Sequence, residues 1–423
     1  MLNYLDKSLY VVIRNEISFH YFGNNILVIY FERIIKTIPA NYAGFLQICD
    51  GQKTLKEIED ILANRWSNIS LERLYKIGVI VFRKSPLEHI PVFTGVKGFY
   101  YPKELAIELT NKCNFACSFC FKNANNKGNL IAVETVDVIS NIIGTNNVKS
   151  ITLTGGEPTI HPRIEYIINK FSECCKDVGM VSNGSFFYKL DPEVARKLEV
   201  VQFSLYGYNE EDYAVNTGCH DGYKNLKRSI DYCKKNNIPF NATWIVTMQN
   251  YVKIRDYVEA AISLGLKHLM IGFFESFGRA EYIDFENEET SCRIDAINNN
   301  IINLKREYAS EIKIGYSNIN TEHMTAVDQC YDGLPLSCGS GKTEIAISQD
   351  GKIRPCQFLP EDIFSLYDIN TFESHIKGKL DSEFEQKLFE AIKVYFQKNN
   401  YSEHRQSPCS ELNKLYMRMT NNE

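Results

Sequence analysis

The sequence predicts an α/β chain whose centre is a partial (β/α)6 TIM-type barrel, with a winged-helix-like domain before it and a cysteine-bearing unit after it. Three observations carry this. From Glu104 onward, apolar runs of strand length alternate six times with helical segments. The first ninety residues show short β-runs and then helical periodicity. Beyond about residue 310 the alternation stops while cysteines recur. A chain of 423 residues also exceeds the size of one ordinary hydrophobic core, so two or three domains are expected.

In the first unit (1–90), Leu9–Ile13, Glu16–Tyr21 and Asn25–Phe31 read as strands separated by polar or glycine-containing turns. A helix ends near Asp50-Gly51, and Thr54-Leu55-Lys56-Glu57 has the spacing of a capping box that opens another. Ile58, Ile61 and Leu62, then Leu71, Leu74 and Ile77 before Gly78, keep helical spacing. Three strands followed by three short helices predict the winged-helix-like fold. Pro86–Pro102, with prolines and glycines at intervals, reads as a linker.

The barrel (100–310) is expected to place strands at Leu105–Leu109, Ser150–Thr154, Val178–Ser182, Val200–Leu205, Asn241–Val246 and His268–Phe273. Helices fall between them at Val133–Ile143, Arg163–Cys174, Pro192–Leu198, Tyr223–Lys235 and Val252–Leu264. Six β/α steps imply parallel strands with right-handed crossovers. Six rather than eight implies an open barrel with its chemistry at the strands' carboxyl ends. In the last unit (311–423), short strands surround Cys338 and Cys356, and a helical tail, Glu383–Lys398, leads to Cys409.

A formal net charge of −5 provides no general basic field, which excludes bulk nucleic-acid binding. No apolar run is long enough to span a bilayer, and the first residues lack a signal-peptide core, so a cytoplasmic protein without a membrane partner is expected. Thirteen cysteines in a reducing compartment argue for metal ligation or catalysis rather than disulfides.

Cys113, Cys117 and Cys120 form a C-x3-C-x2-C loop directly after the first barrel strand. Three thiolates so close can reach three corners of one cubane cluster and leave its fourth iron open to a small chelating molecule. The alternatives at this point are a zinc site or loop thiols without metal; zinc would require a fourth ligand, and no Cys or His occurs in the next forty residues. Gly155-Gly156-Glu157-Pro158 follows the second strand, where glycines let backbone carbonyls approach a ligand and, with the Glu157 carboxylate, suit an ammonium group. Ser182-Asn183-Gly184 ends the third strand and Ser204 closes the fourth. These small hydrogen-bonding groups suit ribose hydroxyls. Four polar motifs at four consecutive strand ends are the strongest pattern in the chain. Cys338 and Cys356 flank an Asp350-Gly351 hairpin turn that would bring their thiols together, unless they are two unrelated buried thiols.

From Glu104 to about Ala280 these motifs resemble the radical S-adenosylmethionine (radical SAM) superfamily. The resemblance implies an oxidoreductase with a 4Fe-4S cluster on Cys113, Cys117 and Cys120 that binds S-adenosylmethionine, Phe119 beside the adenine, and Gly155, Gly156 and Glu157 at the methionine amine. Ser182, Asn183 and Ser204 match positions that contact the ribose or carboxylate, and Gly278-Arg279-Ala280 is similar to a further family signature. Asn216 departs from the pattern, since many members carry Arg there. The Cys338–Cys356 hairpin resembles the SPASM or shorter twitch extension. That implies one auxiliary iron–sulfur cluster on Cys338, Cys356 and Cys409, with Cys330 as a possible fourth ligand.

Asn41–Ile80 resembles the precursor-recognition element of ribosomal peptide biosynthesis, which implies that a leader peptide adds as a strand to a sheet edge. The whole order then resembles peptide maturases, with a leader-bearing precursor peptide as substrate and an electron donor such as flavodoxin or ferredoxin as partner. The expected reaction is thioether or carbon–carbon crosslinking by a 5′-deoxyadenosyl radical. Peptide epimerisation, with Cys219 as hydrogen donor, and maturation of a folded protein of the sulfatase-activating type are the rival chemistries.

Overall fold

The computed structural model describes residues 4–30, 33–66, 68–247, 249–273, 277–280, 288–316, 340–371 and 380–399, together with Cys409, Leu412 and Tyr416. The first unit runs β1 (Tyr10–Ile13), β2 (Ile17–Phe22), β3 (Asn25–Tyr30), β4 (Arg33–Pro39), α1 (Ala43–Ile48), β5 (Asp50–Thr54), α2 (Leu55–Arg65), α3 (Leu71–Lys76), β6 (Ile80–Arg83) and β7 (Val92–Thr94). The capping box forms: the Glu57 amide donates to Thr54 Oγ1 at 3.4 Å, and the Thr54 amide donates to Glu57 Oε2 at 2.8 Å.

The three predicted strands do not share a sheet. β1 lies between β5 and β6, antiparallel to both, whereas the β2–β3 hairpin joins β4 and β7 in a second sheet of order β4-β3-β2-β7. Val11, Val12 and Ile13 are all buried. The two neighbours of β1 come from much later in the chain. The stretch read as a linker supplies β7. His20 ties this sheet to the next unit, with Nδ1 at 2.9 Å from Thr94 Oγ1 and Nε2 at 2.6 Å from the Tyr101 carbonyl. Burial lowers its pKa to about 4.

The central unit continues β8 (Glu104–Glu108), α4 (Val133–Asn146), β9 (Ser150–Thr154), α5 (Ile164–Cys174), β10 (Asp177–Ser182), α6 (Pro192–Ala195), β11 (Val200–Ser204), α7 (Glu210–Thr217), α8 (Gly222–Asn236), β12 (Phe240–Val246), α9 (Ile254–Ser263), β13 (His268–Phe273), α10 (Glu288–Glu307) and β14 (Lys313–Tyr316). After these come β15 (Glu344–Ile347), β16 (Lys352–Arg354), α11 (Glu361–Phe364), β17 (Tyr367–Asp368) and α12 (Leu380–Lys398). The six expected strands are present and mutually parallel, in sequence order. This is a TIM-type partial barrel.

Two strands from beyond residue 310 extend it. β14 pairs parallel with β13, and β15 pairs parallel with β8 at the opposite edge before turning into the β16 and β17 hairpins. The hairpin expected in a separate unit thus covers the backbone groups that β8 would otherwise expose as an edge. One core extends from Tyr101 to Ile369, a second lies within residues 11–80, and a third, small one gathers Phe277, Phe364, Ile392, Tyr395, Phe396 and Leu412. Among the described residues, no helix is long and apolar enough to cross a membrane.

Candidate active site

The loop after β8 carries Cys113, Cys117 and Cys120, of which Cys117 is buried and the other two half-buried. Its path is set by backbone bonds to distant loops: the Cys113 amide donates to the Asn125 carbonyl (2.7 Å) and the Ala116 amide to the Thr217 carbonyl (2.9 Å). Two donors face Cys113 Sγ, the Phe115 amide at 3.4 Å and Asn183 Nδ2 at 3.8 Å. Burial pushes the Cys113 thiol up to about 12 and raises that of Cys117, against the lowering influence of Arg279 nearby. Thiols held so far from ionisation become thiolates when a metal centre supplies compensating charge. Three thiols on one loop, with no His or carboxylate among them, are a donor set that fits an iron–sulfur group, which takes one thiolate per iron, better than a zinc ion, which takes four ligands.

Gly155-Gly156-Glu157-Pro158 follows β9 and packs against the backbone of that loop. The Gly156 amide donates to the Thr110 carbonyl (2.6 Å) and the Glu157 amide to the Lys112 carbonyl (2.9 Å). A Cβ on Gly156 would stand 2.1 Å from the Lys112 carbonyl oxygen. Glycine is therefore required here for contact with the protein's own cysteine loop.

Glu157 differs from expectation. Its side chain is fully buried and turned inward, accepting Ser182 Oγ at 2.8 Å, the Asn183 amide at 2.7 Å and the Thr159 amide at 3.1 Å, as well as Thr159 Oγ1. With these donors its carboxylate ties the end of β9 to the end of β10. Ser182 and Asn183 likewise spend their polar atoms on protein: Ser182 Oγ on Glu157, and Asn183 Nδ2 on Asn114 Oδ1 (2.9 Å) as well as on Cys113.

Phe119 meets the ring of Tyr206 edge-on, with centroids 5.2 Å apart. Tyr213 on α7 is buried behind them, and its hydroxyl lies 3.2 Å from the Ser204 carbonyl and 3.3 Å from that of Asn183. Asn216 spends its side-chain amide on protein, donating to the Tyr206 carbonyl (2.8 Å) and Asp212 Oδ2 (3.2 Å). Arg279 reaches back to the cysteine loop, with Nε 2.9 Å from the Cys117 carbonyl and Nη1 2.7 Å from that of Ala124. Gly278 makes this approach possible, since a Cβ there would be 2.3 Å from the Phe121 carbonyl oxygen.

Sequence reasoning missed Tyr213 and Thr243. Thr243 pairs in register with the buried Ser204 across β11 and β12. Its neighbour Trp244 stacks outward on Tyr257 of α9, at 4.2 Å, so Thr243 faces the barrel interior, where its buried hydroxyl has no partner among the described residues. The alternation within Phe240–Val246 was the available signal.

Of the second cysteine set, Cys356 and Cys409 are half-buried against the same small C-terminal core. Cys338 and Cys330 lie outside the described residues. Gly351 turns the hairpin before Cys356 with φ +74°. Cys219 lies two residues beyond Thr217, whose carbonyl holds the cysteine loop. Cys233 sits in the α8 core, with its thiol pushed up to about 12 by burial.

Residues 107–289 match the model of the Radical SAM superfamily. The antilisterial bacteriocin subtilosin biosynthesis protein AlbA of Bacillus subtilis is 24% identical over 372 residues, covering 84% of this chain and 78% of its own. A probable GTP 3′,8-cyclase of Sulfolobus acidocaldarius is 25% identical over 68% of this chain and 89% of its own. Among solved structures, Streptococcus suis SuiB bound to precursor peptide SuiA superposes with a TM-score of 0.56 at 15% identity, over 96% of this chain and all of that one (100%). The structure of anSMEcpe with bound AdoMet and the Cp18Cys peptide superposes with a TM-score of 0.51 at 17% identity, over 71% of this chain and 86% of that one.

Proposed function

Residues 107–289 of this chain form a radical SAM domain, and from that premise we propose that the protein is a peptide maturase that crosslinks a ribosomally made, leader-bearing precursor. The observation that carries this reading is the extent of the likeness to a bacteriocin biosynthesis protein. It covers 84% of the chain and so runs well beyond the radical SAM domain into the flanking units. The fold likeness to a structure that holds a precursor peptide supports the same substrate class.

The domain's cofactors are a 4Fe-4S cluster and S-adenosylmethionine. Cys113, Cys117 and Cys120 would hold the first, with the backbone of Gly155-Gly156, the ring of Phe119 and the inner-face hydroxyls of Ser204 and Thr243 toward the second. Bound there, the pair would supply one-electron hydrogen-abstraction chemistry at the peptide. The protein's own contribution is positional. Glu157 and Asn183 lock the ends of β9 and β10 to the cysteine loop, Arg279 closes that loop from the far side, and Phe115, Phe119, Tyr206 and Tyr213 exclude water behind it. Cys356 and Cys409, with Cys338, would hold an auxiliary cluster.

In the first unit, the outer side of β5 is closed by the Leu87 and His89 amides, which donate to the Gly51 and Asp50 carbonyls at 3.1 and 2.9 Å. β6 has β1 as its one strand neighbour among the described residues, and beside it Tyr75 of α3 packs on Phe82 at 5.1 Å. An extended leader adding to β6 along α3 gains backbone bonds and an aromatic shelf together. A cytoplasmic location and a flavodoxin- or ferredoxin-type electron donor complete the reading.

Cys219, half-buried beside the cysteine loop, favours epimerisation as the second reading, because that chemistry returns a hydrogen atom from a thiol. One experiment separates the two. The protein is co-expressed with the small open reading frame beside its gene, in water and in deuterated water, and the peptide is weighed. A peptide lighter by two hydrogens is the expected result. Unchanged mass in water with one deuteron gained in deuterated water establishes epimerisation instead, and an unmodified peptide in both overturns the maturase reading.

A further inference from the structure

Glu108 ends β8, and its side chain is 3% exposed. Its Oε1 is shared by two cations, Lys122 Nζ and Arg354 Nη2, which are themselves 8% and 5% exposed. Lys122 lies two residues after Cys120, and Arg354 lies two residues before Cys356. One buried carboxylate therefore holds both cysteine-bearing segments. Other contacts follow the same seam: Arg354 Nη1 donates to the Leu359 carbonyl at 2.9 Å, and Phe121 packs on Phe358 with ring centroids 4.8 Å apart.

Burying three charges is costly, and apolar side chains of the same volume would fill this space at lower cost. What an ionic triad adds is direction. A guanidinium and an ammonium on one carboxylate oxygen allow far fewer arrangements than apolar packing does. The triad also places two cations between two thiol-rich loops, with the Glu361 carboxylate acting on Lys122 as well as Glu108.

We propose that Glu108, Lys122 and Arg354 form a positioning lock that sets the Cys113–Cys120 loop and the Cys356 hairpin in one fixed relative arrangement. The value of that arrangement rests on the reading of both segments as cluster sites. The lock itself does not, so its first test uses metal-free protein.

Full-length apoprotein is alkylated with iodoacetamide, and each cysteine is followed by peptide mass. Lys122→Met and Arg354→Met each leave a neutral buried ion pair, so both variants keep the fold. Lys122→Met is expected to raise the alkylation rate of Cys120 about tenfold, and Arg354→Met that of Cys356 by a similar factor. Glu108→Gln raises both, while Cys49 and Cys233 stay at the wild-type rate. Unchanged rates at Cys120 and Cys356 in the two methionine variants, with wild-type circular dichroism, overturn the lock. In iron-loaded protein, Lys122→Met removes a positive charge two residues from Cys120, so the midpoint potential at that site moves to more negative values, and Lys122→Arg restores it. A potential unmoved by Lys122→Met overturns the electrostatic half of the proposal. Failure of the protein to load iron at all counts against the proposed function and leaves the alkylation result standing.

Discussion

The two cysteine-bearing regions are built on opposite principles. The Cys113–Cys120 loop is determined from all sides: the glycine turn after β9 packs on its backbone, Asn183 reaches Cys113 Sγ from just past β10, the Thr217 carbonyl takes its Ala116 amide, and Arg279 donates to its Cys117 and Cys120 carbonyls through Nε and the backbone amide. Cys356 instead follows a hairpin turn and rests, with Cys409, on a small apolar core. Both regions are held by segments distant in sequence, the first through its own backbone and a cysteine sulfur, the second through Arg354 and the apolar core beneath it. The difference suits a division in which the first site is fixed at its cysteines and the second is fixed beside them.

The largest expected effect tests that division directly. Cys117→Ala should reduce 5′-deoxyadenosine formation with a chemical reductant to background. Cys356→Ala should leave it within about tenfold of wild type while abolishing the modified peptide. Equal loss of 5′-deoxyadenosine in both, measured by chromatography of quenched reactions, would break the comparison. Next comes Asn183→Ala, which removes the side-chain donor to Cys113 and to Asn114. A second-layer ligand contact of this kind is worth about 10–100-fold in metal affinity or activity, so iron content after reconstitution and the rate of 5′-deoxyadenosine formation should fall by that order. An effect below twofold would show that the loop does not depend on its neighbours. The smallest effect is Thr243→Val. It removes a buried hydroxyl that has no partner among the described residues, so the melting temperature should hold or rise slightly. If the hydroxyl serves the bound nucleoside, KM for S-adenosylmethionine should rise by about fivefold, the equivalent of one hydrogen bond of about 1 kcal/mol. An unchanged KM would remove Thr243 from the site.

Much of the barrel was readable because its signals are local. Each strand of the six is a short apolar run, and His268–Phe273 and Ser150–Thr154 fall where periodicity puts them. The capping box at Thr54 and Glu57 was readable for the same reason, since its atoms are three residues apart. The partners of β1 were not readable, because an unbroken buried run reveals that a strand is central without revealing its neighbours. The inward turn of Glu157 was equally hidden. Nothing in the four letters of that motif separates a carboxylate that faces a ligand from one that faces Ser182 and Asn183, residues one strand further on.

By itself, then, the sequence determined which residues carry thiols at cluster spacing and at which strand ends the polar motifs gather. Backbone periodicity and residue chemistry are enough for that. The tertiary structure alone decided what those motifs touch. The glycines serve the cysteine loop, the carboxylates of Glu157 and Glu108 serve neighbouring chain segments, and β15 from the C-terminal region completes the edge of the first barrel strand. Each of these contacts joins residues from separate stretches of the chain, and only the closing of the sheet brings their side chains within bonding distance.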